Sequence, residues 1–312
     1  MAGWDARRVE DQSGTTVVIT GGNSGIGLEA GRVLAARGAN VVLACRDPER
    51  AEAARAAITP GGGGSVSTIA LDLADLDSVR TAADKLGAEH DSIDALVNNA
   101  GVMGGDHATT AQGFERQMGT NHLGHFLFTA RLWPRLTAAT AARVVNVASI
   151  ASRGGKLDAS MTRDTIVDPT PYRPNKVYSN TKQANLLFTG ELHRRLAAAR
   201  SPMRAIAVHP GVSATNLFGR QLREQGMGFL VPLAEHVLMP IGFQSAAMGA
   251  LPTLRAVADP EVPSGQLVGP TFMRGWRGKP GVIDVYTVGT DQATARRLWE
   301  LTEEIVGERF PL

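Results

Sequence analysis

Apolar residues in this chain gather in short unbroken runs, the pattern of strands covered on both faces. Such runs are Thr16-Val17-Val18-Ile19, Asn40-Val41-Val42-Leu43-Ala44, Val66 to Leu71, Ile93 to Val97, Val144 to Val147 and Arg204 to Val208. Between and after them, apolar side chains recur at helical spacing among Ala, Leu, Gln and Arg. Helices are predicted over Leu28–Ala36, Asp75–Leu86, Asn121–Thr137, Lys176–Leu196, Gly242–Val257 and Asp291–Val306, with a short strand near Gln266-Leu267-Val268. Strands alternating with helices predict one doubly wound α/β domain, a mostly parallel sheet with helices on both faces. Residues 1–14 read as an N-terminal extension and 15–312 as that domain.

The loop after the first run is rich in glycine: Thr20-Gly21-Gly22-Asn23-Ser24-Gly25-Ile26-Gly27. A strand, glycines and then a helix let backbone N–H groups approach a pyrophosphate at a helix N-terminus. The next strand arrives at the distance expected of a βαβ unit, so dinucleotide binding is preferred over an ordinary strand–helix turn. Two more strands end in small residues. Leu96-Val97-Asn98-Asn99-Ala100-Gly101 closes in a sharp turn, and Arg143 to Ser149 ends in a hydroxyl. Ligands of a parallel sheet lie beyond the carboxyl ends of its strands, so Asn99 and Ser149 are expected on the rim that carries the glycine loop.

The chemistry enters with Tyr178-Ser179-Asn180-Thr181-Lys182. Residues four apart on a helix share a face, which sets the ammonium beside the phenol. An ammonium roughly 5 Å away, at an effective dielectric of about 20, favours phenolate by about 3 kcal/mol. That predicts a phenol lowered by about two pH units from its usual value near 10, fit for acid–base work near neutrality. A Tyr and a Lys at this spacing more often form only a solvated helix face, and the upstream motifs are what lift the pair.

Taken together, T-G-x-x-x-G-x-G at Thr20 to Gly27, N-N-A-G at Asn98 to Gly101, Ser149 and Y-x-x-x-K at Tyr178 to Lys182 resemble the short-chain dehydrogenase/reductases. Leu43 to Asp47 and Tyr178 to Phe188 look most like the retinol-dehydrogenase-type members. The resemblance implies a Rossmann-type fold and a nicotinamide-dependent alcohol dehydrogenase or carbonyl reductase. Its catalytic residues would be Asn121, Ser149, Tyr178 and Lys182. Tyr178 would exchange the proton, Ser149 hold the carbonyl oxygen, Lys182 tune the phenol and bind ribose, and Asn121 position a water. Cofactor contacts would come from Gly21, Asn23, Ser24, Gly25, Ile26 and Gly27 in the loop, and from Asp72 and Leu73 beside the adenine. Asn99, Ala100, Gly101, Tyr178, Lys182, Pro210, Gly211, Val212 and Thr215 would complete them. For Asp72, a cap on the following helix is a competing reading.

No acidic residue stands at Cys45, where NAD-dependent relatives hold ribose hydroxyls, and Arg46 can form charge-assisted bonds to a 2′-phosphate. NADP(H) is therefore expected over NAD(H), provided the adjacent Asp47 turns away. The competing reading of Arg46 is a solvated loop arginine. Residues 212–242 correspond to the family's substrate flap, and Leu217 to Ile241 is largely apolar with charges of mixed sign. A lipophilic alcohol, aldehyde or ketone is expected from it, with packing in a core or subunit interface as the alternative. A homodimer or homotetramer is implied by the resemblance alone.

Composition narrows the rest. A net charge of +2 with scattered arginines makes no basic stripe, so no nucleic-acid partner is expected. No apolar run reaches the length of a bilayer span, and Met1 to Gly14 lacks the apolar core of a secretory signal. A cytoplasmic protein with no membrane span is the expectation. Cys45, the lone cysteine, reads as a buried strand-end residue. His122 and His125 share a helical face, but no nearby carboxylate or cysteine completes a metal site. They are assigned to packing or hydrogen bonding around Asn121, and no metal is expected. His209, before Pro210, reads as structural or adjacent to the cofactor. Ser149 lacks a G-x-S-x-G elbow, which sets a hydrolase aside. Two further classes stay open. One is a catalytically silent dinucleotide-binding sensor or scaffold, which would have no use for a matched proton relay. The other is a nucleotide-sugar epimerase or dehydratase, whose loop more often reads T-G-x-x-G-x-x-G.

Overall fold

The computed structural model describes residues 3–212 and 244–312. At its centre lies an eight-stranded sheet in the order β3-β2-β1-β4-β5-β6-β7-β8. The strands are β1 (Thr16–Thr20), β2 (Asn40–Cys45), β3 (Ser65–Ala70), β4 (Ala95–Asn98), β5 (Arg143–Val147), β6 (Arg204–Val208), β7 (Leu267–Phe272) and β8 (Arg277–Ile283). Every pairing from β3 across to β7 is parallel, and β8 runs antiparallel to β7. The order reverses between β1 and β4, which opens a crevice at the carboxyl ends of these strands.

Successive strand side chains point to opposite faces, and here both faces are covered. Val17, Ile19, Val41, Leu43, Val145 and Ile206 enter one core with the helices Gly25–Ala36 and Ala246–Ala258. Val18, Val42, Leu96 and Val144 enter the other, with the helices Leu76–Glu89, Gly124–Arg131, Pro174–Ala198 and Gln292–Val306. This is why the apolar runs do not alternate. The second core includes an aromatic cluster in which Phe126 meets Trp299 edge-on at 5.0 Å and Trp299 lies 4.8 Å from Phe310. Trp4 and Val9, ahead of β1, are buried in the first core.

The structure departs from the sequence expectations at several elements. β8 was not anticipated, because Gly278, Pro280 and Gly281 give it little strand propensity; as an edge strand it tolerates them. The helix Pro48–Ala56 was also missed, since it buries only Ala51 and Ala54 and shows no period of large apolar residues. The single helix expected over Asn121–Thr137 is divided: a π turn at Gly119–Leu123 leads into Gly124–Arg131, and Trp133–Ala138 follows separately. Pro134 has no N–H to continue the ladder from the preceding turn. Among the described residues, no helix is long and apolar enough to cross a membrane.

Candidate active site

A cleft of roughly 610 Å³ occupies the crevice at the strand-order reversal. Gly21, Asn23, Ser24, Gly25 and Ile26 of the glycine loop line one side. Gly27 lies beneath them: a Cβ there would stand 2.6 Å from Asn99 Nδ2 and 2.8 Å from the Gly21 carbonyl, so only glycine fits. Gly21 turns with φ near +65°, a region that disfavours side chains. Ser24 is the N-cap of the following helix, yet its side chain makes no capping bond. The first-turn N–H groups are thus left to an external acceptor, and the open cradle suits a pyrophosphate. On these grounds the residues present fit a dinucleotide.

The ends of β2 and β3 form the far rim. Arg46 is exposed and lines the cleft. Asp47 caps the next helix, its carboxylate accepting from the Arg50 N–H at 3.1 Å, and so is engaged away from a phosphate beside Arg46. Arg50, one turn into that helix, also lines the cleft and was not singled out from the sequence. Its signal was the Asp47-Pro48 helix start, which places Arg50 back over the strand end. Cys45 is buried, and burial pushes its thiol up to about 11, leaving it an inert packing residue. Asp72 and Leu73 both line the cleft. Asp75, rather than Asp72, caps the helix that follows, by accepting from the Asp77 N–H. Asp72 instead accepts from the Ala74 N–H.

Asn99, Ala100 and Gly101 line the cleft floor. The Asn99 amide donates to the Thr20 carbonyl at 2.8 Å, bracing the glycine loop against the end of β4. Thr20 Oγ1 accepts from the Asn99 and Ala100 N–H groups, both at 2.9 Å.

Ser149, Tyr178 and Lys182 meet on the opposite wall. Ser149 ends the loop after β5 and accepts from the Ala151 N–H at 3.2 Å, which leaves its single O–H for the Tyr178 oxygen or for a ligand that displaces that bond. Tyr178 and Lys182 project from the helix Pro174–Ala198, which buries Val177, Leu186, Leu187 and Leu192 and is thereby fixed against the sheet. Lys182 Nζ donates to the Val147 carbonyl at 2.9 Å and lies 5.8 Å from the centre of the Tyr178 ring. The lowered phenol expected from this pair is not what the structure gives. Burial raises Tyr178 to about 12, opposed by a hydrogen bond from Ser149. Burial also lowers Lys182 to about 8. The surface-like dielectric used for the pair omitted the desolvation of both groups, which is the largest cause at each.

Asn121 sits in the π turn and is fully buried. Its Oδ1 accepts from the Val102 N–H at 2.8 Å, and its Nδ2 donates to the Val102 carbonyl at 2.9 Å and to Thr181 Oγ1 at 3.0 Å. The side chain therefore joins the loop after β4 to the helix of Tyr178. The turn widens the helix at this point, as π turns commonly do beside functional sites. His125 continues the network, with Nδ1 3.1 Å from the Asn121 carbonyl and Nε2 2.9 Å from Thr20 Oγ1. A carbonyl can only accept, so Nδ1 carries the proton, and Thr20 donates to Nε2. Burial lowers His125 to about 3, which keeps it neutral. His122 turns instead to Thr302 Oγ1 at 3.0 Å. Both histidines thus serve hydrogen bonding and packing.

Pro210, Gly211 and Val212 close the remaining side of the cleft. His209 accepts the Gly211 N–H at Nδ1 (3.2 Å), and its Nε2 lies 3.0 Å from the Tyr286 hydroxyl, so it steadies this turn. Burial lowers His209 to about 4. Thr215 and nearly all of the 212–242 flap lie outside the described residues.

Residues 15–161 match the model of the short chain dehydrogenase family. The chain is 37% identical to retinol dehydrogenase 13 of Homo sapiens over 302 residues, covering 96% of this chain and 86% of that protein. It is likewise 37% identical to retinol dehydrogenase 12 of Mus musculus over 296 residues, covering 94% and 87%. A crystal structure of an uncharacterized protein from Mycobacterium Paratuberculosis superposes over the whole of both chains with a TM-score of 0.81 and 40% identity. L-Sorbose reductase from Gluconobacter frateurii, solved with NADPH and L-sorbose, shares the fold at a TM-score of 0.61 and 23% identity, over 83% of this chain and 95% of that one. The chain is an oxidoreductase acting on CH–OH or C=O groups with a nicotinamide dinucleotide. It belongs to the short-chain dehydrogenase family.

Proposed function

We propose that this protein is an NADP(H)-dependent reductase or dehydrogenase for a lipophilic aldehyde, ketone or alcohol, working through Tyr178, Ser149, Lys182 and Asn121. The convergence of Ser149, Tyr178 and Lys182 on a cleft that also holds the glycine loop carries this reading. When bound, the nicotinamide supplies the hydride or takes it up. Ser149 donates its O–H to the substrate oxygen, a contact that strengthens as negative charge grows there. Tyr178 gives its proton to that oxygen in reduction. A phenol held near 12 is protonated at neutral pH, the form that carbonyl reduction needs. Lys182, near 8, titrates close to neutrality and can take part in proton exchange with solvent. Asn121 keeps the helix of Tyr178 in register with the loop after β4. A homo-oligomer and a cytoplasmic location belong to the same proposal, through the family resemblance.

A panel of steroids, retinoids, quinones, long-chain aldehydes and small ketones, followed by NADPH absorbance, tests it. Turnover is expected, with catalytic efficiency greatest among the lipophilic carbonyls. If no carbonyl is turned over while NADPH binds, the silent sensor reading takes its place.

For the cofactor, Arg46 and Arg50 are proposed to bind the 2′-phosphate. Both are exposed at the rim, so the contribution of each charge-assisted bond falls near the low end of its range. Arg46→Ala is expected to weaken NADPH about tenfold and to leave NADH nearly unaffected, with the double variant Arg46→Ala/Arg50→Ala losing more. Fluorescence titration of both dinucleotides checks this. Equal affinity of the wild type for NADPH and NADH would remove the assignment.

A further inference from the structure

We propose that Arg116 is a specificity-determining residue at the substrate end of the cleft, where it receives a carboxylate, so that the substrate is a carbonyl or alcohol bearing an acid group. The inference rests on the oxidoreductase reading above and narrows its substrate class. The cleft has a guanidinium at each of two places. Arg46 and Arg50 follow β2; Arg116 lines the cleft from the stretch whose next residue, Gln117, donates to the Pro174 carbonyl at the start of the helix that carries Tyr178. Arg116 and Thr120 are four apart on one helical stretch and therefore reach the cleft from the same face. The first place is matched to the cofactor, and the second is left to the substrate.

Arg116 is chemically unfulfilled. Its Nε is buried and has no hydrogen-bond partner. Among the described residues its one side-chain hydrogen bond is a long one, Nη2 to the Gly104 carbonyl at 3.5 Å, and it forms no ion pair there. The adjacent carboxylate does not neutralise it by contact: Glu115 is fully buried and accepts from the N–H groups of Gln117 and Met118 at 2.9 and 2.7 Å. A guanidinium offers five donors in a planar fork that matches a carboxylate.

The surroundings of Arg116 are held in place. Gln117 accepts the Gly104 N–H at 3.1 Å and donates to the Tyr172 hydroxyl and the Pro174 carbonyl, each at 3.1 Å. That side chain ties the loop after β4 to the start of the helix bearing Tyr178, and so fixes the position of Arg116 relative to the phenol. Val102, Met103 and Ile150 contribute apolar lining to the same cleft. An aldehyde or alcohol at one end, an apolar spacer and a carboxylate at the other would satisfy all three features. An ω-oxo or ω-hydroxy acid is such a compound.

The test compares azelaic semialdehyde with its methyl ester as substrates of the wild type, Arg116→Met and Arg116→Lys. The wild type is expected to prefer the acid by roughly tenfold or more in kcat/KM. In Arg116→Met that ratio should collapse towards one, through KM for the acid, and Arg116→Lys should keep part of it. Calorimetry of azelate and its dimethyl ester against the cofactor-loaded protein gives a readout that does not need turnover. Azelate should bind the wild type and fail to bind Arg116→Met, with Arg116→Gln as a second variant should the methionine protein not fold. Equal efficiencies for acid and ester, or azelate binding that survives loss of the guanidinium, would overturn the assignment. Azelate binding through Arg116 without turnover of either aldehyde would uphold the anion site and defeat the proposed reaction. Absence of both turnover and azelate binding would defeat the anion site.

Discussion

Tyr178→Phe is expected to lower kcat for carbonyl reduction by about 10²–10⁴-fold, the range of a positioned general acid. The substitution removes one oxygen, and the ring keeps its place on a helix held by Val177, Leu186 and Leu187. Phenylalanine keeps the ring that lines the cleft and leaves the glycine loop untouched, so cofactor affinity should change little. Single-turnover NADPH oxidation separates the two effects. The pH profile adds a second check. Because Tyr178 stays protonated to about 12, it should contribute no limb between pH 5 and 9 in the direction of reduction. An alkaline limb near pH 8 is expected instead from Lys182. Near wild-type turnover by Tyr178→Phe with cofactor bound would show that another group is the acid.

Lys182→Met is expected to remove most of the activity and yet to make the protein more stable. The Lys182 ammonium is buried, and burial lowers it from 10.5 to about 8. Below pH 8 both the folded and the unfolded chain hold this proton, and confining the charge in the interior costs about 3 kcal/mol. Methionine has similar length and no charge. The Val147 carbonyl would lose the bond from Nζ but keep the one from Asn185 Nδ2 at 3.1 Å. A net gain of about 2 kcal/mol at pH 7 is therefore expected. The sign of the pH dependence follows. Between about pH 8 and 10.5 the unfolded lysine binds a proton that the folded one does not, so wild-type stability receives a rising contribution across that window. The variant lacks it, and its advantage should shrink towards pH 10. Urea unfolding at neutral and alkaline pH measures both quantities. A variant less stable than wild type at pH 7, or an advantage that does not depend on pH, would contradict the account. Such a trade-off is expected where an active site holds a charge that the fold alone would not select.

Most of the site was legible because its parts are local. The glycine loop needs a turn, a close backbone approach and a free helix N-terminus, and these leave a mark within a few residues. Tyr178 and Lys182 show by their spacing that they share a face. Arg50 escaped notice because its helix buries only alanines. Arg116 escaped because an arginine in an amphipathic stretch looks the same whether or not it meets a carboxylate. Only its unpartnered Nε sets it apart.

What could be read along the chain was period and order: buried runs from Thr16 to Val208, helices between them, and motifs at strand ends. From these follow the doubly wound sheet and the crevice, since backbone hydrogen bonding and right-handed connection leave few alternatives. The electrostatics could not be read in the same way. Tyr178 and Lys182 were expected to attract each other into a lowered phenol, but each is desolvated by all that the fold packs around it, with the Ser149 hydrogen bond opposing the rise at Tyr178. The π turn at Asn121 likewise depends on partners from distant segments, Val102 and Thr181. Hydrogen bonds and burial between elements far apart in sequence arise only when the chain is packed, and they set the protonation of this site.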